Sequence, residues 1–121
     1  MQKVVVLGAS PKPERYSNKA IKLLKKYGHE VFPVSLVYDE IEGLKNYKSL
    51  AELPGPVETL TLYLGPKQIA NLIPEIVAFK PGRVILNPGS EDDSLIAALD
   101  EAKIPYLHAC TLVLLQTNQF E

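Results

Sequence analysis

The sequence has almost nothing that would cross-link it, anchor it or give it a dominant charge. Among 121 residues there is one cysteine, Cys110, so no internal disulfide can form, which suits a reducing compartment. No apolar run approaches the roughly 20 residues a membrane-spanning helix needs. The opening MQKVVVLGAS shows neither the apolar core nor the cleavage site of a secretory signal. A net charge of −1 gives no electrostatic case for nucleic acid, whose partners usually carry a basic domain. What is left, 46% hydrophobic and 22% charged residues, is an ordinary globular composition in a chain long enough to bury a core. The expectation is one cytoplasmic domain over residues 1–121, with no membrane or nucleic-acid partner.

Read along the chain, strand-like and helix-like patterns alternate. Lys3 to Leu7 is a continuous aliphatic run, as in a strand buried on both faces. After a polar loop, Ala20, Ile21, Leu24 and Tyr27 recur at helical spacing, with Ser17 or Asn18 as the expected cap and Gly28 at the end. Glu30 to Val34 is a second strand, with Pro33 removing one ladder donor. VYDEIEGLKNYKSLAELPG reads as a polar connection holding one short helical turn, introduced by a capping box from Ser49 to Glu52. Val57 to Leu64 is strand three. Gly65-Pro66 then opens a helix that Pro74 is expected to kink or divide. Arg83 to Asn87 is strand four, Ser90 and Asp93 frame a second capping box, and Ile104 to Ala109 is strand five. Periodicity leaves the tail CTLVLLQTNQFE open between strand and helix. Such alternation predicts an α/β fold: a three-layer, Rossmann-like, doubly wound parallel sheet of about five strands, order 3-2-1-4-5. Ligands of such sheets lie at the carboxyl ends of the strands, beside strand one. That puts the loop from Gly8 to Ser17 at the mouth of the site.

A strand-to-helix turn gathers unpaired backbone N–H groups and the positive end of a helix at one point, which attracts phosphate. Gly8 lets the backbone approach, Ser10 adds a hydroxyl, and Lys12 and Arg15 add charge. The dinucleotide fingerprint G-x-G-x-x-G is missing, because Gly8 has no glycine partner before Gly28. Its ribose-binding acid is missing too, with Ser35 at the end of strand two. No Gly-Lys-Ser/Thr phosphate loop occurs either. NAD and ATP are therefore disfavoured as ligands.

Taken together and in order, G-A-S-P-K-P-x-R-x-S, the Gly-His-Glu-Val strand entry, Tyr-x-Ser-Leu-x-Glu-Leu-Pro and Pro-Glu-Ile-Val resemble the small stand-alone CoA-binding proteins. That family is similar to the CoA-binding domain of the succinyl-CoA synthetase α subunit. The resemblance implies CoA as ligand, with Gly8, Ala9 and Ser10 against its diphosphate and Lys12, Arg15 and Ser17 nearby. It also implies that Ser35 and the stretch around Lys45, Tyr47 and Lys48 flank the adenosine. Arg15, Lys45, Lys48 and Lys67 are the candidate cations for the 3′-phosphate of such a ligand. The chain departs from the family pattern at Ser35-Leu36, at Gly65-Pro66, in NPGSEDD after strand four, and at His108-Ala109-Cys110.

No nucleophile–base pair, metal cage or second substrate domain is visible, so the expected activity is non-catalytic binding of CoA or an acyl-CoA, with no metal. The alternatives are an NAD(P)- or other nucleotide-dependent enzyme, and an interaction module that has lost its ligand. Cys110 and His108 invite catalytic roles, but a small buried thiol and a hydrogen-bonded imidazole fit the same positions. Glu91, Asp92 and Asp93 fit a helix N-terminus better than a metal site. The apolar LVLL tail is compatible with a homodimer and equally with a tail packed on its own sheet.

Overall fold

The VVV run of the first strand is apolar on both faces because it lies in the middle of a parallel sheet. The computed structural model describes Met1–Glu121. Strand β1 (Lys3–Leu7) pairs on one side with β2 (Glu30–Val34). On its other side β1 pairs with β5 (Thr59–Leu62), followed outward by β6 (Arg83–Leu86) and β7 (Tyr106–His108), all parallel. Alternate side chains of β1 go to opposite layers. Val5 and Leu7 pack with Leu60, Leu62, Ile69 and Ile76 beneath helices α2 (Pro66–Phe79) and α3 (Asp93–Ala102). Val4 and Val6 pack with Ile21, Leu24 and Leu115 beneath α1 (Tyr16–Lys26) and α4 (Thr111–Gln116). The doubly wound, three-layer arrangement is the one the alternation of patterns implied.

The arrangement is of the 3-2-1-4-5 type, with one reassignment. The strand from Thr59 to Leu62, third in the sequence reading, lies beside β1 on the side away from β2. The outer place beside β2 holds a single parallel bridge from Val34 to Tyr47. Tyr47 donates to the Pro33 carbonyl at 2.9 Å and accepts from Ser35 N–H at 3.1 Å. Pro33 has no N–H to offer in return, so the ladder stops after that bridge.

The segment read as a polar connection also contains a hairpin, β3 (Glu40–Ile41) against β4 (Leu44–Lys45). Strands of two residues carry no legible periodicity. The signal that existed was the Glu42-Gly43 pair, whose φ values of 53° and 76° close a tight turn. Ile41 anchors the hairpin in the α1 layer.

Other boundaries moved for local reasons. Neither Ser17 nor Asn18 caps α1; Arg15 holds the N-cap position without a side-chain bond, and both residues are buried inside the first turn. Ser49 makes no capping bond to its 3₁₀ turn (Leu50–Glu52), and the Glu52 carboxylate instead accepts from Lys48 N–H. Asp92, not Ser90, caps α3, accepting from Leu95 N–H at 2.9 Å. Pro74 sits exposed within a continuous α2 and does not divide it. The tail is a helix packed on α1, with Leu115 buried, so its apolar residues are largely used within the chain.

Two polar clusters tie the ends of the sheet. At the carboxyl end, the fully buried Asn87 donates to the Thr61 hydroxyl at 2.7 Å and to the Leu62 carbonyl at 2.9 Å, and accepts from Thr111 N–H at 2.9 Å. Thr61 and Thr111 share a further hydroxyl bond at 2.7 Å. One amide thus joins β5, β6 and the start of α4. At the amino end, His29 is buried against Phe120, and its Nδ1 accepts from Gln2 N–H at 3.0 Å. Burial lowers the His29 pKa below its ordinary 6.5; the Glu121 carboxylate opposes the shift and the N-terminal ammonium adds to it.

Replacing Asn87 with Ala strands the Leu62 carbonyl and the Thr111 N–H, while the Thr61 hydroxyl keeps its bond to Thr111, and is expected to cost about 3 kcal/mol, read as a lower denaturant midpoint with unchanged slope. The folded protein holds His29 neutral, so the unfolded chain takes up the proton first as pH falls. Stability should therefore be complete above pH 6.5 and decline below it. In His29→Gln, chemical denaturation between pH 7 and 5 should show that portion of the decline removed.

Candidate functional site

Gly8 ends β1 with φ at +94°, and a Cβ there would lie 2.5 Å from the Tyr63 carbonyl oxygen. Any side chain is excluded by backbone and by conformation alike. The chain turns at this point, and the N–H groups of Gly8 and Ala9 both donate to the Val34 carbonyl, at 3.0 and 3.1 Å. The turn directs the following residues over the carboxyl ends of β1 and β5.

A cleft of about 460 Å³ opens there. One wall is Gly8, Ala9, Ser10, Lys12 and Arg15 with the first helical residues Tyr16 and Ser17; the other is Tyr63, Leu64 and Gly65 with Pro88, Gly89 and Ser90, and Tyr38 also borders it. The second wall is fastened by Ser90, whose hydroxyl donates to the Leu64 carbonyl at 2.7 Å and accepts from Leu64 N–H at 3.0 Å. Asn87, immediately before Pro88, fixes the same wall from below.

The amides of Gly8 and Ala9 are already engaged, so they offer no donors to the cleft. The N–H groups of Ser10, Tyr16 and Ser17 have no partner. The Ser10 hydroxyl accepts from Lys12 N–H at 3.1 Å and keeps its own proton to donate. Lys12 and Arg15 are exposed at the rim and make no ion pair. Neither α1 nor α2 has an acidic residue in its first turn or a side-chain cap, and Ser17 and Gly65 bring both helix starts to the cleft. Free donors, helix dipoles and unpaired cations of one sign thus converge on one opening, an arrangement that accepts an anion.

Ser35, Lys45, Lys48 and Lys67 do not line this cleft. The Ser35 hydroxyl donates to Asn46 Oδ1 at 3.0 Å, while the buried Asn46 amide holds the Ser35 and Tyr38 carbonyls at 3.0 and 2.7 Å. Lys45 lies over the Tyr47 ring at 5.0 Å and borders a different hollow on the outer side of β2. Lys48 pairs with Asp39 at 3.0 Å. Lys67 is exposed in the first turn of α2.

Sequence reasoning noted Gly65-Pro66 and NPGSEDD as departures from the family pattern but counted neither the Tyr63 wall nor Pro88-Gly89-Ser90 among the site residues. Both follow strand ends, where the carboxyl-end rule could have located them. Burial pushes the Tyr63 hydroxyl up to about 12, partly offset by the Thr111 and Thr61 hydroxyls nearby, although none of these contacts has hydrogen-bond geometry. Cys110 is half-buried at the start of α4, and His108 is exposed, edge-on to Tyr106; neither borders the cleft. No group of three or more His, Cys, Asp or Glu side chains is placed to hold a metal ion, and no helix is long and apolar enough to cross a membrane.

The chain is 39% identical over 66 residues to the α subunit of acetate–CoA ligase (ADP-forming) II of Pyrococcus furiosus, a match covering 54% of this chain and 14% of that subunit. It is 29% identical to the uncharacterized protein YneT of Bacillus subtilis, over 63% of this chain and 56% of that one. The chain thus spans only part of the length of these relatives. A crystal structure of an uncharacterized protein superposes with a TM-score of 0.92 at 36% identity, covering 99% of this chain and 98% of the other. A sequence profile described as a CoA binding domain matches residues 2–116, nearly the whole chain, and the protein therefore belongs to the CoA-binding domain family.

Proposed function

We infer that this protein binds CoA or an acyl-CoA non-catalytically, as a single unit, with the diphosphate seated in the cleft behind the first strand-to-helix loop. The observation that carries this reading is the convergence of the unpaired Ser10, Tyr16 and Ser17 amides with the unpaired Lys12 and Arg15 on one opening. Gly8 and Ala9 serve by shape: they bring the backbone close and leave donation to the residues after them. Leu36 and Val37 are 81% and 74% exposed and lead into Tyr38 at the cleft border. They offer the adenine an apolar surface, and Ser35 contributes by holding that segment through Asn46. Lys45, Lys48 and Lys67 reach the 3′-phosphate only by leaving their present positions; for Lys48 that means giving up an exposed ion pair, which is a small cost.

A carrier or sensor of CoA fits better than an enzyme because the cleft presents cations and amides without a nucleophile beside a base. An NAD-dependent reading has no support at the end of β2. Ser35 stands where a ribose-binding acid would be, and its hydroxyl is committed to Asn46.

Thermal unfolding at fixed ionic strength tests the reading. CoA at about 100 times its dissociation constant should stabilise the protein by about 2.7 kcal/mol, while NAD⁺ at the same concentration has little effect. Dephospho-CoA should also stabilise, by less if one of the three outlying lysines turns to the 3′-phosphate. Replacing Lys12 and Arg15 together with Ala should weaken CoA binding at least tenfold by titration calorimetry and flatten its salt dependence. No shift with CoA, or a larger shift with NAD⁺, overturns the assignment.

A further inference from the structure

Asn18 and Glu42 are each placed at a local disadvantage, and one arrangement explains both. Asn18 lies in the first turn of α1, completely buried, although asparagine is a poor helix former and its Oδ1 has no partner. Glu42 takes the first central position of the β3–β4 turn at φ 53°, in the left-handed region where Asn or Gly is usual. The other non-glycine residues at positive φ, Lys80, Lys103 and Asn118, lie at or just past helix ends, where that conformation is ordinary. The two disadvantaged residues meet. Asn18 Nδ2 donates one proton to Glu42 Oε2 at 3.0 Å and the other to the Ser10 carbonyl at 2.9 Å. Two acceptors on one nitrogen fix the orientation of the amide, because the reverse orientation would set oxygen against oxygen.

Ser10 belongs to the loop read above as the diphosphate cradle, and its carbonyl is the group an anion there would repel. The geometry points to Asn18 and Glu42 as a positioning pair for that cradle. Asn18 draws the Ser10 carbonyl away into the protein, leaving the Ser10 amide and hydroxyl for the ligand, and Glu42 holds Asn18 in the orientation that does so. The hairpin is itself secured to α1: Lys25 Nζ donates to the Glu42 carbonyl at 2.7 Å, and Ile41 is buried in the layer beneath α1. The turn of β3–β4 therefore acts on anion binding without touching the ligand. This deepens the reading of the cleft as a CoA site and rests on it.

Four variants (Glu42→Gly, Glu42→Gln, Asn18→Ala and the Asn18→Ala/Glu42→Gly double) and two readouts test the pair: titration calorimetry with CoA, and hydrogen exchange of the Ala9, Ser10 and Lys12 amides in the free protein. Glu42→Gly suits the left-handed turn and removes the carboxylate, so its melting temperature should stay close to the parent's. Its CoA affinity should nevertheless fall about tenfold, and the loop amides should exchange faster. Glu42→Gln keeps an acceptor oxygen and should restore both. Adding Asn18→Ala to Glu42→Gly should weaken binding no further than Asn18→Ala alone, because the two act in series. If Glu42→Gly binds and exchanges like the parent, the pair is structural only and the inference fails. Tighter binding by Glu42→Gly and Glu42→Gln alike would show the carboxylate acting as a repelling charge, and fails it equally. If the parent protein does not bind CoA, the cleft assignment falls, and loop exchange in the four variants still decides for or against the pair.

Discussion

The geometry of the cleft depends on one backbone meeting, where β1 stops and the chain crosses beside Tyr63. Gly8 approaches the Tyr63 carbonyl too closely for any side chain, and the Val34 carbonyl gathers the Gly8 and Ala9 amides. These contacts come from both neighbours of β1, so the loop's position is set by the sheet rather than by its own residues. The prolines at 11 and 13 then limit how the chain can run before α1 begins. A loop held in this way can present donors to a ligand without first being ordered, which keeps the entropic cost of binding low.

The sheet was legible in the sequence wherever apolar runs were long enough to show a period. Strands β1 and β2 lie where the pattern put them, because both are apolar and buried after their first, charged residue and are followed by glycine or a polar residue. The position of the Thr59 strand was not legible, since alternation of elements says that strands are parallel but not which side of β1 each takes. The hairpin escaped because its strands are two residues long, and the tail because LVLL fits either period. The caps show a related limit. Ser17, Asn18, Ser49 and Ser90 have the right chemistry for capping, but none caps a helix, and the Asn18 amide and Ser90 hydroxyl hold other partners.

For the site, the sequence indicated one wall and not the other. Gly8 to Ser17 stood out as a contiguous polar loop behind a strand, whereas the facing wall is assembled from two separate stretches, of which Gly65 and Pro88 to Ser90 stood out only as departures from the family pattern. The lysines illustrate a further difficulty. A lysine near a loop in sequence looks available to a phosphate, yet Lys45 and Lys48 have found an aromatic face and a carboxylate. Only coordinates distinguish a free cation from one already occupied.

The proline inside β2 has a consequence for how the molecule meets others of its kind. At one margin of the sheet, Pro33 faces outward without a donor and the β3–β4 hairpin stands alongside. At the other, β7 is only three residues long. Each margin is thus a poor template for a further strand, the usual defence of a parallel sheet against growing from one molecule into the next. Any self-association of this fold would have to go through helix faces or loops, leaving the hydrogen-bonded layer of each copy closed.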